Sequence, residues 1–347
     1  MEKRTVRKSA VSSLCFLIVA SIAAAALSRT YTNPVGGPNL RMGDPFVLRY
    51  RDNYYLYGTS AGDGFKCWTS KNLVDWRPVG YAWRKSADSW GKKDFWAPEV
   101  IRYRDKFYMI YSCTGADKKG YRLCLADSNK PEGPFADLHA PLFDIDWSCI
   151  DGHIFMDDDG TPYLFFDKVG VAGEPWAKPS TGYMYGIIYA AKLKNDLSGL
   201  LGEALLCAQA DQQWENPKSM NSRCNEGAFV FRHAGTYYMT YSAGHYADPN
   251  YGIGYATASA PLGPWAKNAA NPLVQKVAAA GISGPGHNSI TTSPDGNELF
   301  MVYHAHADAN RPSGERCVNI DRLVFDDAGN LRLIGPTRRP QPMPSAD

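Results

Sequence analysis

One pattern, written five times, limits what this chain can become. The stretch from Asp44 to Tyr57, DPFVLRYRDNYYLY, opens on a carboxylate, runs through a short apolar strand, turns on polar residues and returns through an aromatic strand. The design recurs as APEVIRYRDKFYMIYS from Ala97, DGHIFMDDDGTPYLFF from Asp151, EGAFVFRHAGTYYMTYS from Glu226 and HNSITTSPDGNELFMVYH from His287. Each copy reads as a β-hairpin, because a turn carrying Asp, Gly or Asn separates two runs of strand-forming residues. Further strand-and-turn segments begin at Lys66, Arg122, Ile187, Gly252 and Glu315, so each repeat offers three or four strands at intervals of roughly fifty to seventy-five residues. Serial units of this kind predict an all-β, five-bladed β-propeller. A β-sandwich would not need the same hairpin five times, and a β-helix would need much shorter repeats. The five repeats leave no length for a second domain, so residues 30–347 are expected to form one, with the proline-rich tail from Pro336 as an extended strap.

Aromatic residues make up 13% of the chain, and many fall in the hairpins, where packing between sheets is the expected role. A net charge of +2 with no long basic run gives no footprint for nucleic acid. Residues 1–28 read as a signal peptide. Lys3, Arg4, Arg7 and Lys8 precede an apolar run of about seventeen residues from Val11, which ends in small residues around Ala26 and Ser28. A single-pass anchor is the competing reading, but the run is short for a span, and Cys15 lies too early for a lipoprotein cysteine. The expected location is secreted or periplasmic, with no membrane association after cleavage and a monomeric state. Seven cysteines then remain, an odd and widely spread set that makes no disulfide framework, although one or two bridges fit an exported protein, and no zinc-site spacing appears. Two excursions, Gly170–Tyr183 and Gln209–Cys224, interrupt the period and are expected to serve function.

In a propeller the innermost strand of each blade lines a central channel, so equivalent positions converge. Asp44, Asp151, Glu226 and His287 are read as equivalent, opening that strand in blades one, three, four and five. Carboxylates clustered without cations repel one another, which is costly in a core and useful in a site. Three acids without a nucleophile triad point to hydrolysis by general acid and base. Cleavage of a glycosidic bond requires one protonated carboxyl for the leaving oxygen and one ionised carboxylate to activate water or attack the sugar. Blades one and four stand apart across the ring, which leaves room for a water and favours inversion. Asp151, beside Glu226 on the adjacent blade, would help keep that glutamate protonated.

The residues Gly43-Asp44-Pro45, Trp96-Ala97-Pro98-Glu99, Ile150-Asp151-Gly152, Asn225-Glu226-Gly227 and Gly286-His287-Asn288 resemble the motifs of glycoside hydrolase family 43, over about Asn33 to Gly335. The resemblance implies a five-bladed inverting enzyme acting on arabinose- and xylose-containing polysaccharides or oligosaccharides. It implies Asp44 as general base, Asp151 as pKa modulator and orienter, and Glu226 as general acid. Trp96 would form a wall of the sugar pocket, and Arg316 would contact the sugar. His287 would sit where many members hold a hydrated metal, often calcium; no cofactor is required for the chemistry. An exo-acting α-L-arabinofuranosidase is the expected activity. A β-D-xylosidase, an arabinan endo-hydrolase or a galactosidase is the alternative on the same fold. A propeller that binds carbohydrate without cleaving it is the alternative outside enzymes, and the three intact acids oppose it. A related class that hydrolyses fructosides would show Asn-Asp-Pro-Asn and Arg-Asp-Pro motifs, and neither is present.

Other polar residues have blander readings beside the sharper ones. Asp157-Asp158-Asp159-Gly160 is expected to be a hairpin turn, because no glutamate completes a calcium loop. His304 and His306 alternate on one strand and are read as a satisfied pair lining the channel or standing near substrate, rather than as metal ligands. His153, two residues after Asp151, is read either as a sugar-positioning residue or as a packed hairpin histidine. Glu99 is expected to turn outward into blade two.

Overall fold

The computed structural model describes residues 29–117, 120–170, 186–215, 223–312 and 314–346. After a short β1 (Thr30–Tyr31), blade one comprises β2 (Gly43–Tyr50), β3 (Asn53–Thr59), β4 (Gly64–Ser70) and β5 (Arg77–Arg84). Blade two follows with β6 (Gly91–Tyr103), β7 (Lys106–Gly115), β8 (Tyr121–Ser128) and β9 (Ala136–His139). Blade three has β10 (Cys149–Met156), β11 (Pro162–Val169), β12 (Gly186–Leu193) and β13 (Leu200–Gln209). Blade four has β14 (Asn225–His233), β15 (Thr236–Ala243), β16 (Gly252–Ala258) and β17 (Ala266–Lys267). Blade five has β18 (Gly286–Thr292), β19 (Leu299–His306), β20 (Arg316–Phe325) and β21 (Leu331–Ile334), and β22 (Gln341–Pro342) ends the series. Each blade is a four-stranded sheet whose neighbours are consecutive in sequence. Among the described residues there is no α-helix, only 3-10 turns at Gln213–Glu215 and Ala278–Ala280. The predicted leader lies outside the described residues, as does all but the first residue of the Gly170–Tyr183 excursion.

The aromatic strands do the packing expected of them. Five apolar clusters lie between successive blades, including Phe65, Trp83 and Tyr111 between one and two, Phe165 and Tyr241 between three and four, and Leu56, Phe300 and Val318 between five and one. Truncating one such aromatic costs about 3–5 kcal/mol. The buried tyrosines keep their phenols paired: Tyr111 donates to Asp137 at 2.7 Å, Tyr241 to Glu215 at 2.7 Å and Tyr303 to Asp321 at 2.6 Å.

The ring is closed without a strand exchanged between blades. The segment ahead of β2 lies along β20 instead: Val35 N–H donates to Val318 O, Met42 N–H to Arg316 O, and Asn33 Nδ2 to Ile320 O at 2.8 Å. The tail joins the same seam, with β22 pairing antiparallel to β1.

At the channel every inner strand carries a one-residue bulge. Register is lost between Gly43 and Phe46, Trp96 and Glu99, Ile150 and His153, Glu226 and Phe229, and Gly286 and Asn288. The residue after the first of each pair has positive φ: Asp44 (54°), Ala97 (44°), Asp151 (55°), Gly227 (61°) and His287 (46°). Non-glycine residues in this region cost of order 1–3 kcal/mol each and persist only when their surroundings hold them. What holds them is a ring of hydrogen bonds that passes from blade to blade. Each bulge N–H donates to a side chain on the second strand of the preceding blade: Ala97 to Thr59 (2.9 Å), Asp151 to Ser112 (2.9 Å), Gly227 to Asp167 (2.8 Å), His287 to Ser242 (2.7 Å) and Asp44 to His304 (3.1 Å).

This geometry corrects the sequence alignment by one residue in blade four. Asp44, Asp151 and His287 are equivalent, but their counterpart there is Gly227. Glu226 instead matches Gly43, Trp96, Ile150 and Gly286. The hairpin pattern cannot reveal this, because a bulge adds a residue to one strand only.

Candidate active site

Two residues per inner strand face one end of the channel, the bulge residue and the one before it. They open onto a cavity of about 270 Å³ lined by Asp44, Asp151 and His287 from the bulges and by Trp96, Ile150 and Glu226 from the positions before them; Arg316, His245 and Tyr246 complete the wall. The two remaining positions before a bulge are glycines for steric reasons. A Cβ on Gly43 would lie 1.9 Å from the Arg316 guanidinium carbon, and one on Gly286 would lie 1.9 Å from the Tyr251 ring. Those gaps let Arg316 and Tyr251 reach the carboxylates.

Asp44 is arranged to stay ionised. Burial opposes its charge, but Arg316, then His287 and His304, and a hydrogen bond from Thr59 outweigh it and hold the carboxyl well below the usual carboxylate range. Arg316 Nη1 lies 2.7 Å from Oδ1, Thr59 Oγ1 donates to Oδ2 at 2.5 Å, and His287 Nδ1 lies 3.4 Å from Oδ1. Asp151 has the opposite surroundings. Burial, then the charges of Asp167, Glu226 and Asp44, push its carboxyl well above the ordinary range, and the nearest base is His287 Nδ1 at 3.8 Å. Glu226 is fixed at both oxygens: the Tyr251 phenol donates to Oε1 at 2.6 Å and the Cys224 thiol to Oε2 at 3.3 Å. The cavity thus places one ionised carboxylate across from an oriented carboxyl, with a third acid between their blades. That is the equipment of general acid–base hydrolysis.

The aromatic wall is built in layers. Trp96 packs on Tyr121 with ring centroids 4.8 Å apart, and the Arg316 guanidinium lies 5.0 Å from the centroid of Tyr246. The loop that carries Tyr246 is pinned by His306, whose Nε2–H donates to Tyr246 O at 2.8 Å while Nδ1 accepts from Ser283 at 3.0 Å.

A model of the family described as Glycosyl hydrolases family 43 matches residues 31–331. The chain belongs to this family. It is therefore a glycosidase, of a family that inverts configuration with a carboxylate acid and base. Among solved structures it is similar to a thermostable family-43 glycoside hydrolase, with 50% identity and a TM-score of 0.86, covering 92% of this chain and 100% of that one. It is also similar to an endo-1,4-beta-xylanase from Bacteroides thetaiotaomicron, with 33% identity and a TM-score of 0.74, covering 91% and 99%. Curated relatives include a beta-D-galactofuranosidase of Aspergillus niger, 27% identical over 90% of this chain and 88% of that protein. An extracellular exo-alpha-(1->5)-L-arabinofuranosidase of Streptomyces avermitilis is 26% identical over 81% of this chain and 57% of its own length.

Within this family 43 member, the structure brings Asp44, Asp151, Glu226, Trp96, His287 and Arg316 to one cavity and leaves His153 out of it. His153 lies beneath the site, its Nδ1 2.6 Å from Glu99 and its Nε2 accepting the Val230 N–H at 3.0 Å. Glu99 is therefore buried and turned toward His153 of the neighbouring blade, contrary to the outward orientation expected of it, because Glu99 and His153 hold equivalent positions just past their bulges. His304 and His306 hold the Asp44 amide and the Tyr246 loop, and Asp157–Gly160 is a hairpin turn. The seven described cysteines are all buried free thiols, so neither of the bridges allowed for is formed among them. For a metal at His287, the neighbouring donors are Asp44 and Asp151, and among the described residues no three His, Cys, Asp or Glu side chains converge on a common point.

Sequence reasoning missed Thr59, Asp167, Cys224, Tyr246 and Tyr251. Tyr246 lies in a loop without a repeat signature. The others become site residues only through contacts across blades or through the bulge.

Proposed function

We propose that this enzyme is an exported, exo-acting glycosidase that removes single terminal α-L-arabinofuranosyl residues from plant cell-wall polysaccharide or its oligosaccharides. The observation that carries the reading is the cavity itself. At about 270 Å³ it lies just below the usual span of ligand pockets, roughly 300–1,000 Å³, and both Asp44 and Glu226 line it. A pocket of that size accepts one terminal sugar ring more readily than the middle of a chain. The relatives named as arabinofuranosidases, two of them called extracellular and exo-acting, agree with the choice. Export rests on the basic and apolar segment 1–28; among the described residues no helix is long and apolar enough to cross a membrane.

In the proposed reaction Asp44 takes a proton from water as the water oxygen bonds to the anomeric carbon from one face. Glu226 gives its proton to the departing glycosidic oxygen on the other face, so the sugar leaves with inverted configuration. Arg316 keeps Asp44 a base, and Asp151 stands beside Glu226 as the third acid. Trp96 and Tyr246 offer ring faces to the apolar side of the sugar.

A second furanoside deserves equal testing, because the first of the curated relatives is named a beta-D-galactofuranosidase and aligns over 88% of its length. Hydrolysis rates on nitrophenyl α-L-arabinofuranoside, β-D-galactofuranoside and β-D-xylopyranoside, beside linear arabinan and xylo-oligosaccharides, test the assignment. Preference for the arabinofuranoside with release of single sugars supports it; mid-chain cleavage of polymers without monosaccharide release refutes it. Proton NMR of the first anomer released is expected to show inversion.

A further inference from the structure

The hydrogen-bond ring around the channel contains one chemical exception. Its acceptors are Thr59, Ser112, Ser242 and His304 in four blades, all neutral in form, with His304 kept neutral by burial. In blade three the acceptor is Asp167. A hydroxyl performs this task in three other blades, so the amide bond alone does not call for a carboxylate. Asp167 is fully buried, and its Oδ2 takes the Gly227 N–H at 2.8 Å. Its Oδ1 is buried and takes no N–H or hydroxyl donor among the described residues. It stands opposite Ile150 in the β10–β11 ladder, one residue from Asp151, and its amide donor belongs to the residue after Glu226. The second oxygen of this side chain is thus held, buried, beside two of the three acids that line the cavity.

We propose that Asp167 is a positioning residue for hydrolysis, a fourth carboxyl that locks the Glu226 bulge through the Gly227 amide and sets its charge against the Asp151–Glu226 pair. The proposal rests on the assignment of Glu226 as the acid. The lock matters because Gly227 has φ 61° and a Cβ there would stand 3.0 Å from the His287 ring, so movement at this bulge disturbs two walls of the site together. The charge matters because the titratable groups acting on Asp167 are both carboxyls, Glu226 on β14 and Asp151 on β10. Like charges packed in a buried site favour retention of protons on Asp151 and Asp167. Burial first, then neighbouring carboxylate charge, holds both Asp151 and Asp167 above the usual carboxylate range, and the two carboxyls lie within hydrogen-bonding reach of each other. Asp167 does not touch the cavity, so it acts through Asp151 and Glu226.

The test is the pH profile of kcat/KM for Asp167→Ser and Asp167→Asn on a substrate with a poor leaving group. Serine reproduces the ring as blades two and four build it, and asparagine keeps the size and the accepting oxygen. Both remove a titratable carboxyl from the cluster, so the alkaline limb should move to lower pH by about one unit, with the acidic limb in place and KM within about twofold of the parent. Profiles that superimpose on the parent would overturn the inference and leave Asp167 a hydrogen-bond acceptor only. The acid assignment is read separately from Glu226→Ala, which should lose hydrolysis of poor leaving groups and keep much of it on a dinitrophenyl glycoside. Absence of that dependence removes the acid reading and the inference with it. Its presence, together with unmoved Asp167 profiles, removes the inference alone.

Discussion

Arg316 donates to Asp44 across 272 residues of sequence at 2.7 Å, through a gap that exists because residue 43 is glycine. The pair spans the seam where the first and last blades meet. The chain therefore assembles its base only when the propeller closes.

Removing that guanidinium leaves burial, the largest opposing influence, to act on Asp44. Arg316→Ala should raise the pKa of the base and move the acidic limb of kcat/KM to higher pH. Breaking a buried, charge-assisted pair costs about 3–5 kcal/mol, so a large drop in stability is expected as well. Denaturant melts and pH–rate profiles of the purified variant check both effects; an unmoved acidic limb would separate Arg316 from the base.

Tyr251→Phe isolates one hydrogen bond. The ring stacks on His304 with centroids 5.7 Å apart, and phenylalanine preserves that packing while leaving Glu226 Oε1 without its donor. A loss of about 1–3 kcal/mol in stability is expected, with kcat reduced about tenfold and KM little changed. Steady-state kinetics and urea unfolding measure these quantities, and a parent-like kcat would show that the phenol does not orient the acid.

The seam also contains a pH-sensitive group. Burial pushes the Asp321 carboxyl up to about 7, although Tyr303 donates to it at 2.6 Å. The native state holds this proton to higher pH than the unfolded chain, whose aspartates titrate near about 4. The contribution is therefore fully present below about pH 4 and is lost as pH rises through about 7, at most about 4 kcal/mol. Asp321→Asn should flatten this dependence, since it removes the titrating carboxyl and keeps an oxygen to accept from Tyr303. Equilibrium unfolding at pH 5 and pH 8 should show a smaller difference for the variant than for the parent; equal differences would refute the assignment.

Burial pushes the thiols of Cys67, Cys149 and Cys207 up to about 12, away from the reactive thiolate. The folded mature enzyme should therefore resist a thiol-specific chromogenic reagent at pH 8 and react after denaturation. Rapid labelling of the native protein would contradict the buried, unbridged state of these residues.

Much of the architecture was legible before any coordinates. Asp44, Asp151 and Glu226 stood out because a hairpin that opens on an acid has no structural need to do so three times. The five inner hairpins followed from the same repeat, and Trp96 from the resemblance to family 43. Glu99 was misread because facing was inferred by counting from a neighbouring proline, whereas a bulge shifts the alternation of every residue beyond it. Asp167 and Cys224 look like ordinary strand residues, and nothing local marks them. Their neighbours come from another blade or from across a kinked backbone.

The sequence by itself determined the all-β repeat, the number of blades and the three acids, because strand periodicity and turn chemistry are local and are written residue by residue. Only the tertiary structure decided that Glu226 occupies the position before its bulge while Asp44 and Asp151 occupy the bulge itself. It also decided that Asp44 lies beside a cation while Asp151 lies among carboxyls. The reason is physical: φ at a bulge, the closure of the ring and the charge around a buried carboxyl all depend on residues far away in the chain, which meet only when the five blades pack.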